Sequence, residues 1–365
     1  MGTNKFKQKL LKTPLSLVSV GLGISSFGNI TELVASDFTK DIIDYNDINN
    51  HIFQIICMII TFLILILMVI RIFVSFDNFK KELADPILCS FLSSIPVAGT
   101  ILSGFVASIP TFYNNLLLPT VNAATIIGAI MLIISFLFYL LILVSFFYFS
   151  FNKHNLKKNY TYWAVPVVSL IVLSIVSGNF PEEILPKILF EIIWYFGVSA
   201  FIIFIPYILY KTTFDENIEK DRIPAIASLA APSSITLMGF ISVFTFNGQP
   251  IPGYNESFVV SVILIFIMIS FALWLFLLLS LFKIFQTKFN SSYSALALPS
   301  TIAPIAMFNS HIFFRSYGSS EAISNLFLAI AFVQVVLAFI IMVYLVVRFS
   351  ISIPKWIKLE PVIKS

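Results

Sequence analysis

Long apolar runs separated by short polar connections make up most of this chain. Runs of about 17 residues or more are long enough to cross the hydrocarbon core of a bilayer as α-helices. Ten such spans are predicted: 14–35, 51–75, 85–108, 119–149, 160–178, 185–211, 222–245, 256–287, 293–315 and 320–349. The pattern therefore predicts an all-α integral membrane fold, with residues 14–349 as the transmembrane domain between an N-terminal segment 1–13 and a C-terminal tail 350–365.

The predicted spans fall into two alternating classes. Ser, Thr, Gly, Ala and Pro make up 52 of 107 residues in the apolar cores of the odd-numbered spans, but 20 of 123 in the even-numbered ones. Helices that pack closely or line a polar path need small residues and hydroxyls, and helices that face lipid do not. We therefore expect five tandem hairpins, with the odd-numbered helices around a central pore and the even-numbered helices outside. Small residues also serve plain helix packing, so a protein without a pore stays open at this point.

Prolines are concentrated in the odd-numbered spans. Proline removes a helical hydrogen bond and clashes with the preceding turn, so we interpret these residues as kinks that widen the path. The central prolines at 96, 166, 232 and 299 are separated by 70, 66 and 67 residues. A nearly constant spacing is typical of a structural repeat, which here is one hairpin of an inner and an outer helix.

Composition and charge place this architecture in a membrane and orient it. The chain is 59% hydrophobic and 11% charged, whereas soluble domains are about a quarter charged. Of its 22 Lys and Arg residues, 19 lie on the same side of the predicted spans as the two termini. Because basic residues accumulate in cytoplasmic loops, we expect a plasma (inner) membrane protein with both termini in the cytoplasm.

Other kinds of chemistry are scarce in the sequence. It has no HExxH, GxSxG or Walker-type motif, so neither an enzyme nor a nucleotide-driven pump is expected. Cys57 and Cys89 lie in apolar runs and the three histidines are scattered, so no metal, no cofactor and no nucleic-acid partner is expected. The odd-numbered cores contain no Asp, Glu, Lys or Arg, which counts against a proton relay.

An uncharged path lined by hydroxyls suits weak, fast interaction with an ion. Ser and Thr hydroxyls can solvate an anion, and cytoplasmic lysines raise the local anion concentration. Glu191 is the one carboxylate in an even-numbered core, and we interpret it as an interfacial group near Lys187. The residues alone favour transport over an intramembrane enzyme, a receptor or a scaffold.

Five motifs occur in order along the odd-numbered spans: "TPLSLVSVGLGISSFGNI", "DPILCSFLSSIPVAGTIL", "YWAVPVV", "AIASLAAPSSITLMGF" and "YSALALPSTIAPIAM". They resemble the tellurite-resistance/dicarboxylate transporter (TDT) family, which includes TehA-type channels, fungal malate and sulfite transporters and plant guard-cell slow anion channels. The resemblance extends from Pro14 to about Arg348. It implies ten helices in five hairpins around a quasi-five-fold pore, and a homotrimer with one pore per protomer.

The resemblance also implies a gate, with one departure. Characterised channels of this family carry a pore-blocking Phe before the ninth-helix proline, where this chain has Leu298 before Pro299. A bulky aliphatic side chain can still form a constriction that gates by dewetting. Three hypotheses stay open: Leu298 is the gate, a nearby Phe has taken its place, or the protein gates differently.

The candidate site residues follow from these motifs and from the hydroxyl pattern. Those expected to line the pore or kink its helices are Pro14, Ser19, Gly23, Pro96, Pro166, Ser169, Pro232, Ser233, Pro299, Thr301 and Pro304, with Leu298 as the pore gate. His311 and Arg315 follow towards the outer mouth. Either they pack at the membrane interface, or protonated His311 attracts anions there together with Arg315.

The leading hypothesis is passive, channel-like transport of small inorganic anions, sulfite-like oxyanions or C4-dicarboxylates across the lipid bilayer. One alternative is a proton-coupled dicarboxylate or sulfite carrier, which the uncharged inner cores disfavour, although a histidine in the path would serve it. An alternative of another class is a membrane receptor or scaffold without flux, which predicts no continuous polar path through the five inner helices.

Overall fold

The computed structural model describes residues 2–39, 51–114, 121–152, 163–214 and 219–358. The α-helices are α1 (Gly2–Lys12), α2 (Leu17–Thr39), α3 (Ile52–Val74), α4 (Phe76–Leu83), α5 (Pro86–Leu92), α6 (Ser94–Asn114), α7 (Ala123–Asn152), α8 (Ala164–Val168), α9 (Val172–Ile175), α10 (Lys187–Phe214), α11 (Ala231–Phe244), α12 (Glu256–Ile284), α13 (Ala297–Ser316) and α14 (Glu321–Lys358). Helices of the 3-10 type lie at Ser169–Ile171, Ser177–Asn179, Lys220–Ala230 and Ser291–Leu296, and β1 (Thr245–Phe246) pairs antiparallel with β2 (Gln249–Pro250).

Nine segments of the described chain are helical, long and apolar enough to cross a membrane. They are Leu17–Ala35, Ile52–Val74, Ile87–Pro110, Ala123–Ser150, Lys187–Phe214, Lys220–Phe244, Glu256–Ile284, Ser291–Ser316 and Glu321–Ile357. The shortest has 19 residues, close to the roughly 20 that the hydrocarbon core requires. The chain is therefore an all-α, multi-pass membrane protein.

The segment predicted as the fifth span is helical but broken. α8 is followed by the 3-10 turn Ser169–Ile171, by α9 and by the 3-10 turn Ser177–Asn179. Serine side chains compete for backbone hydrogen bonds, and the many β-branched valines here crowd a regular helix. Ala164–Asn179 is consequently shorter than each of the nine continuous segments. The predicted count of ten continuous helices is thus not confirmed, and residues 160–162 of the predicted span lie outside the described residues.

Burial separates the two classes of segment. In the most apolar stretch of Ile87–Pro110, Lys220–Phe244 and Ser291–Ser316, 78%, 89% and 83% of the residues are buried. The corresponding values for the helices that follow these three in the chain lie between 33% and 39%, and Leu17–Ala35 is intermediate at 50%. Exposed large apolar side chains lie on the even-numbered helices and connections, with Leu88 as the single exception on a described odd-numbered segment. A helix surface of this kind suits contact with lipid.

The small-residue-rich segments contact one another in a closed cycle. α2 packs against α6, α6 against α9, α9 against α11, α11 against α13, and α13 against α2. The last of these contacts is unusually close: a Cβ atom at Gly23 of α2 would lie 2.7 Å from the Cβ of Ala297 on α13. Each segment also packs against a lipid-exposed helix that follows it: α2 against α3, α6 against α7, α8 against α10, α11 against α12 and α13 against α14.

A tight hairpin joins α11 to α12 and contacts the end of α13. Asn247 and Gly248 have φ values of 49° and 72°, as the two central residues of an Asn-Gly hairpin turn require. A Cβ atom at Gly248 would lie 2.4 Å from the Cβ of Ser316. The Gln249 amide donates to the Ser316 carbonyl. The hairpin is therefore fixed against the C-terminal end of α13.

Glu191 is held by a tyrosine at the end of α10. Its carboxylate accepts a 2.6 Å hydrogen bond from the Tyr254 hydroxyl, and the Lys187 ammonium lies 5.5 Å from the centre of the Tyr254 ring. Burial, followed by the adjacent Glu191 carboxylate, raises the pKa of Tyr254 to about 12. The phenol therefore remains a hydrogen-bond donor at physiological pH, and this group of residues connects α10 to the loop before α12.

Candidate functional site

A small cavity lies where the five small-residue-rich segments meet. Its volume is about 50 Å³, enough for a few water molecules. Each segment contributes one serine to its wall: Ser19, Ser94, Ser169, Ser228 and Ser294. The other lining residues are Ala, Val, Leu, Ile and Pro. We call it the serine cavity.

The hydroxyls of the serine cavity differ in their partners. Ser19 and Ser94 bond to each other through their Oγ atoms at 2.9 Å, and Ser228 donates to the Ala225 carbonyl at 2.8 Å. Ser294 is 1% exposed, and its Oγ atom has no hydrogen-bond partner in the described part of the chain. A buried hydroxyl without a protein partner is available to water or to an ion in the cavity.

A second, larger cavity of about 440 Å³ lies on the other side of the same ring of segments. Its polar lining consists of Ser26, Asn29, Glu32, Gln54, Ser108, Asn179, Ser242 and Asn309. The amide nitrogens of Asn179 and Asn309 donate to the carbonyls of Gly104 and Ile305, at 3.2 and 3.1 Å. We call it the amide cavity.

Two polar contacts tie α2 to α3 beside the amide cavity. The Gln54 amide donates to the Asn29 side-chain oxygen at 2.9 Å. One turn away, Nδ1 of His51 lies 2.6 Å from Oε1 of Glu32. Glu32 is the one charged side chain in the lining of the two cavities, within the described residues. Glu32 lies near the end of the predicted span 14–35, outside the apolar core of that span, which contains no charged residue.

Three apolar side chains line both cavities: Val97 on α6, Ile235 on α11 and Leu298 on α13. Together they form the common wall between the serine cavity and the amide cavity. Leu298 is the second residue of α13, directly after the 3-10 helix Ser291–Leu296. It follows Ala297, the residue that contacts Gly23.

Comparison with known proteins assigns this architecture to a family. The family model "Voltage-dependent anion channel" (SLAC1) matches residues 13–349. The chain belongs to this anion channel family. It is the TDT family of TehA-like and slow anion channels, so the resemblance read from the five motifs is confirmed. Members of the anion channel family are transporters or channels, not enzymes, and the match indicates anion transport across membranes. No curated protein matches the chain.

The structure brings five of the predicted residues into the cavities of this family member. Leu298 lines both, and Ser19, Ser169, Pro232 and Pro299 line the serine cavity. Pro14, Gly23, Pro96, Pro166, Ser233, Thr301 and Pro304 lie outside the linings of the two cavities. Two of these make other hydrogen bonds: Thr301 donates to the Ala297 and Leu298 carbonyls, and the Pro166 carbonyl accepts from the Tyr139 hydroxyl.

The central prolines lie in the first turn of their α-helices. Pro96, Pro166 and Pro299 are each the third residue of an α-helix, and Pro232 is the second residue of α11. The first N–H groups of a helix have no intrahelical acceptor, so proline removes no hydrogen bond at these positions. The inner α-helices therefore begin at the prolines. Pro304 differs, because it lies inside α13.

His311 and Arg315 line a third cavity, of about 450 Å³, together with Glu321 and Ser324. This lateral cavity lies between α13 and α14, away from Leu298. His311 is 2% exposed, and its Nδ1 lies 2.9 Å from the Ser324 carbonyl oxygen and 2.8 Å from the Ser324 hydroxyl.

Sequence reasoning missed much of the polar chemistry of this anion channel family member. It did not single out Ser94, Ser228 and Ser294 from the many inner serines, because composition alone does not show which face of a helix a serine occupies. It also missed Glu32 and its partner His51, which lie close to the polar segment between the first two spans. A search for carboxylates within about one turn of each predicted span end would have found Glu32.

Proposed function

We propose that this protein forms a passive, channel-like pathway for small anions, and that the serine cavity and the amide cavity are two parts of one route. Val97, Ile235 and Leu298 form the closed constriction between them. The observation that carries the proposal is that these three residues alone are shared by the two linings, within the described chain. A narrow apolar ring between two polar cavities excludes water and therefore ions.

The lining of the serine cavity supports an anion as the permeant. It contains hydroxyls from all five inner segments and no ionisable side chain among the described residues. Hydroxyls donate hydrogen bonds to an anion without binding it tightly, and weak binding is what conduction requires. Chloride, nitrate, sulfite-like oxyanions and C4-dicarboxylates are the classes we propose to test.

Among the three hypotheses for the gate, this arrangement favours Leu298. Phe105 is the one phenylalanine in the lining of either cavity in the described chain, and it lines the amide cavity alone. A side chain that touches one cavity cannot be the whole barrier between two. We therefore assign the gate to Leu298 with Val97 and Ile235 as its neighbours.

The wider proposal follows the family. The broken segment Ala164–Asn179 serves as the fifth crossing, which gives ten crossings in five hairpins, and the protein assembles as a homotrimer. Both termini lie in the cytoplasm of the plasma membrane, since 19 of 22 basic residues lie on that side of the predicted spans. The serine cavity then faces the cytoplasm, and the amide cavity faces outward.

The experiment is a planar-bilayer recording of the purified protein with chloride, nitrate, sulfite and malate. We expect an anion current that Leu298→Ala increases. Leu279→Ala is the matched control, because Leu279 is 68% exposed on the lipid-facing α12, and it should leave the current unchanged. Silence for every anion, from protein shown to be folded by its thermal unfolding, would exclude the proposal. An unchanged current in Leu298→Ala would move the gate elsewhere.

A second candidate function is a proton-coupled carrier of dicarboxylate or sulfite. The observation that favours it is the Glu32–His51 pair at the amide cavity, because intramembrane proton relays use ionisable groups of this kind. A carrier would show a reversal potential that moves with the proton gradient, whereas a passive channel follows the anion gradient alone.

A further inference from the structure

A carboxylate in the wall of an anion route is an unusual feature that the proposed function does not use. Glu32 lines the amide cavity, and its charge opposes the presence of an anion there. The carboxylate is paired with His51 at 2.6 Å, and the two side chains are 12% and 7% exposed. The Glu32 carboxylate is therefore largely shielded from solvent, and it lies in the wall of the proposed anion route.

The position of the pair is fixed by the backbone and by a neighbouring contact. His51 immediately precedes α3, and Gln54 lies one turn along that helix. The Gln54–Asn29 hydrogen bond holds α2 and α3 in register beside the pair. Gln54 is 8% exposed, and its Oε1 atom has no hydrogen-bond partner within the described chain. The wall at this point offers hydrogen-bond acceptors, and an acceptor-rich wall favours a proton and disfavours an anion.

The net charge of the pair depends on one proton. With a neutral imidazole, Glu32 and His51 together carry one negative charge; with an imidazolium, the charges cancel. Histidine is the side chain that most often serves as a proton-dependent switch in proteins. Proton uptake therefore removes a negative charge from the wall of the amide cavity.

Other charged or titratable groups on the elements packed against α2 and α3 lie elsewhere. Described residues 94–110 of α6 carry none. His311, Arg315 and Glu321 line the lateral cavity. Arg71 is about 30 Å from His51 along α3 and is paired with Glu82. The other described groups are Lys7, Lys9 and Lys12 of α1, Asp77, Lys80 and Lys81 of α4, Cys57 facing Gly28, and Tyr293, Tyr344, Arg348 and Lys355 near the tail. Asp37, Lys40, Asp41, Asp44 and Asp47 follow Glu32 in sequence, and their side chains lie outside the described residues.

We propose that Glu32 and His51 form a proton-binding site in the wall of the amide cavity, and that anion passage increases when this site takes up a proton. The inference rests on the proposed function, because it requires that an anion passes this wall. It differs from proton coupling: the proton changes the electrostatic barrier and is not carried with the anion.

The test is the chloride current in planar bilayers, with each side acidified in turn from about pH 8 to about pH 5.5. In the wild-type protein we expect a rise of roughly three- to tenfold, from one side only. Glu32→Gln should give a current at pH 8 that already approaches the acidified wild-type current, because the wall no longer carries a negative charge there. His51→Gln should give a low current without the rise, because the carboxylate stays ionised.

Two further variants separate the pair from its surroundings. His311→Gln removes the buried histidine of the lateral cavity and should keep the full rise. Glu32→Asp keeps the charge and should keep a rise, and it replaces Glu32→Gln as a test if that variant does not fold. A Glu32→Gln current at pH 8 no higher than that of the wild type would overturn the inference. A reversal potential that follows the proton gradient would overturn it as well, in favour of coupling. Absence of current at every pH, in contrast, would overturn the proposed function itself.

Discussion

The serine cavity and the amide cavity meet at the same three apolar side chains but are built differently. The first is small, uncharged and made by one serine from each inner segment, whereas the second is about nine times larger and contains amides and a carboxylate. The first also lies where α6, α8, α11 and α13 begin, next to their prolines, while the second includes residues of the lipid-exposed helix α3. The difference teaches that the small cavity is built by the repeated inner segments alone, whereas the large cavity also needs side chains from a lipid-exposed helix.

The largest effect should come from removing the wall between the two cavities. The triple variant Val97→Ala, Ile235→Ala and Leu298→Ala joins them into one polar space, because no bulky side chain remains between them. We expect single-channel conductance to rise about tenfold or more, equivalent to a barrier lower by about 1.4 kcal/mol. The matched control is Leu326→Ala, Val333→Ala and Ile340→Ala on α14, where each residue is 56% exposed. A triple variant that conducts no better than the control would show that the cavities are not parts of one route.

The second-largest effect is expected at the close contact between Gly23 and Ala297, the residue that directly precedes Leu298. Gly23→Ala should destabilise the protein by about 1–3 kcal/mol, because the new methyl group overlaps Ala297 and forces α2 and α13 apart. Thermal unfolding in detergent measures the loss, and the current of the same variant reports whether Leu298 has moved. Gly178→Ala is the control, since a Cβ atom there has nothing within 4 Å. Equal unfolding temperatures for the two variants would contradict the close packing of α2 against α13.

A smaller effect tests the hydroxyl ring of the serine cavity. Ser294→Ala should lower anion conductance by about two- to tenfold, the range expected for one hydrogen bond of roughly 0.5–1.5 kcal/mol. Its stability should not fall, because Ser294 Oγ has no described protein partner to lose. Ser233→Ala removes a buried hydroxyl that donates to the Ala230 carbonyl and lines neither cavity. If both variants conduct equally, the serine cavity does not solvate the permeant.

The smallest effect is expected outside both cavities, at Tyr254. Tyr254→Phe should leave the current unchanged and lower the unfolding temperature slightly, because the hydrogen bond to Glu191 is lost. The pKa of Tyr254 is raised to about 12, so this stabilisation is complete below the ordinary phenol pKa of about 10 and is lost as the pH rises towards 12. Unfolding curves at several pH values check this: the difference between wild type and variant should be constant below about pH 9 and shrink above it. A difference that changes near neutral pH would contradict the assignment.

The sequence predicted the membrane class and the alternation of segments because hydrophobic length and small-residue content follow directly from lipid contact and helix packing. It also led to Leu298 through the family resemblance, and the structure places this residue between the two cavities. The predicted count of ten helices is not confirmed, because hydropathy does not distinguish a continuous α-helix from the broken segment Ala164–Asn179. The role of Glu32 was missed because a carboxylate near a span end resembles a solvent-exposed loop residue until its histidine partner is located in three dimensions.

The broken segment Ala164–Asn179 differs from the other inner segments of the described chain because its 3-10 turns follow its central proline. A 3-10 helix rises about 2.0 Å per residue and an α-helix about 1.5 Å. Rewinding the six residues of Ser169–Ile171 and Ser177–Asn179 into α-helix would shorten the segment by about 3 Å. Such a change would move Ser169 along the segment, and it would require Ile171 to leave its close contact with Gly197 of α10. This segment can therefore change its length by converting 3-10 turns to α-helix. In α6, α11 and α13 the chain after the central proline is already α-helical.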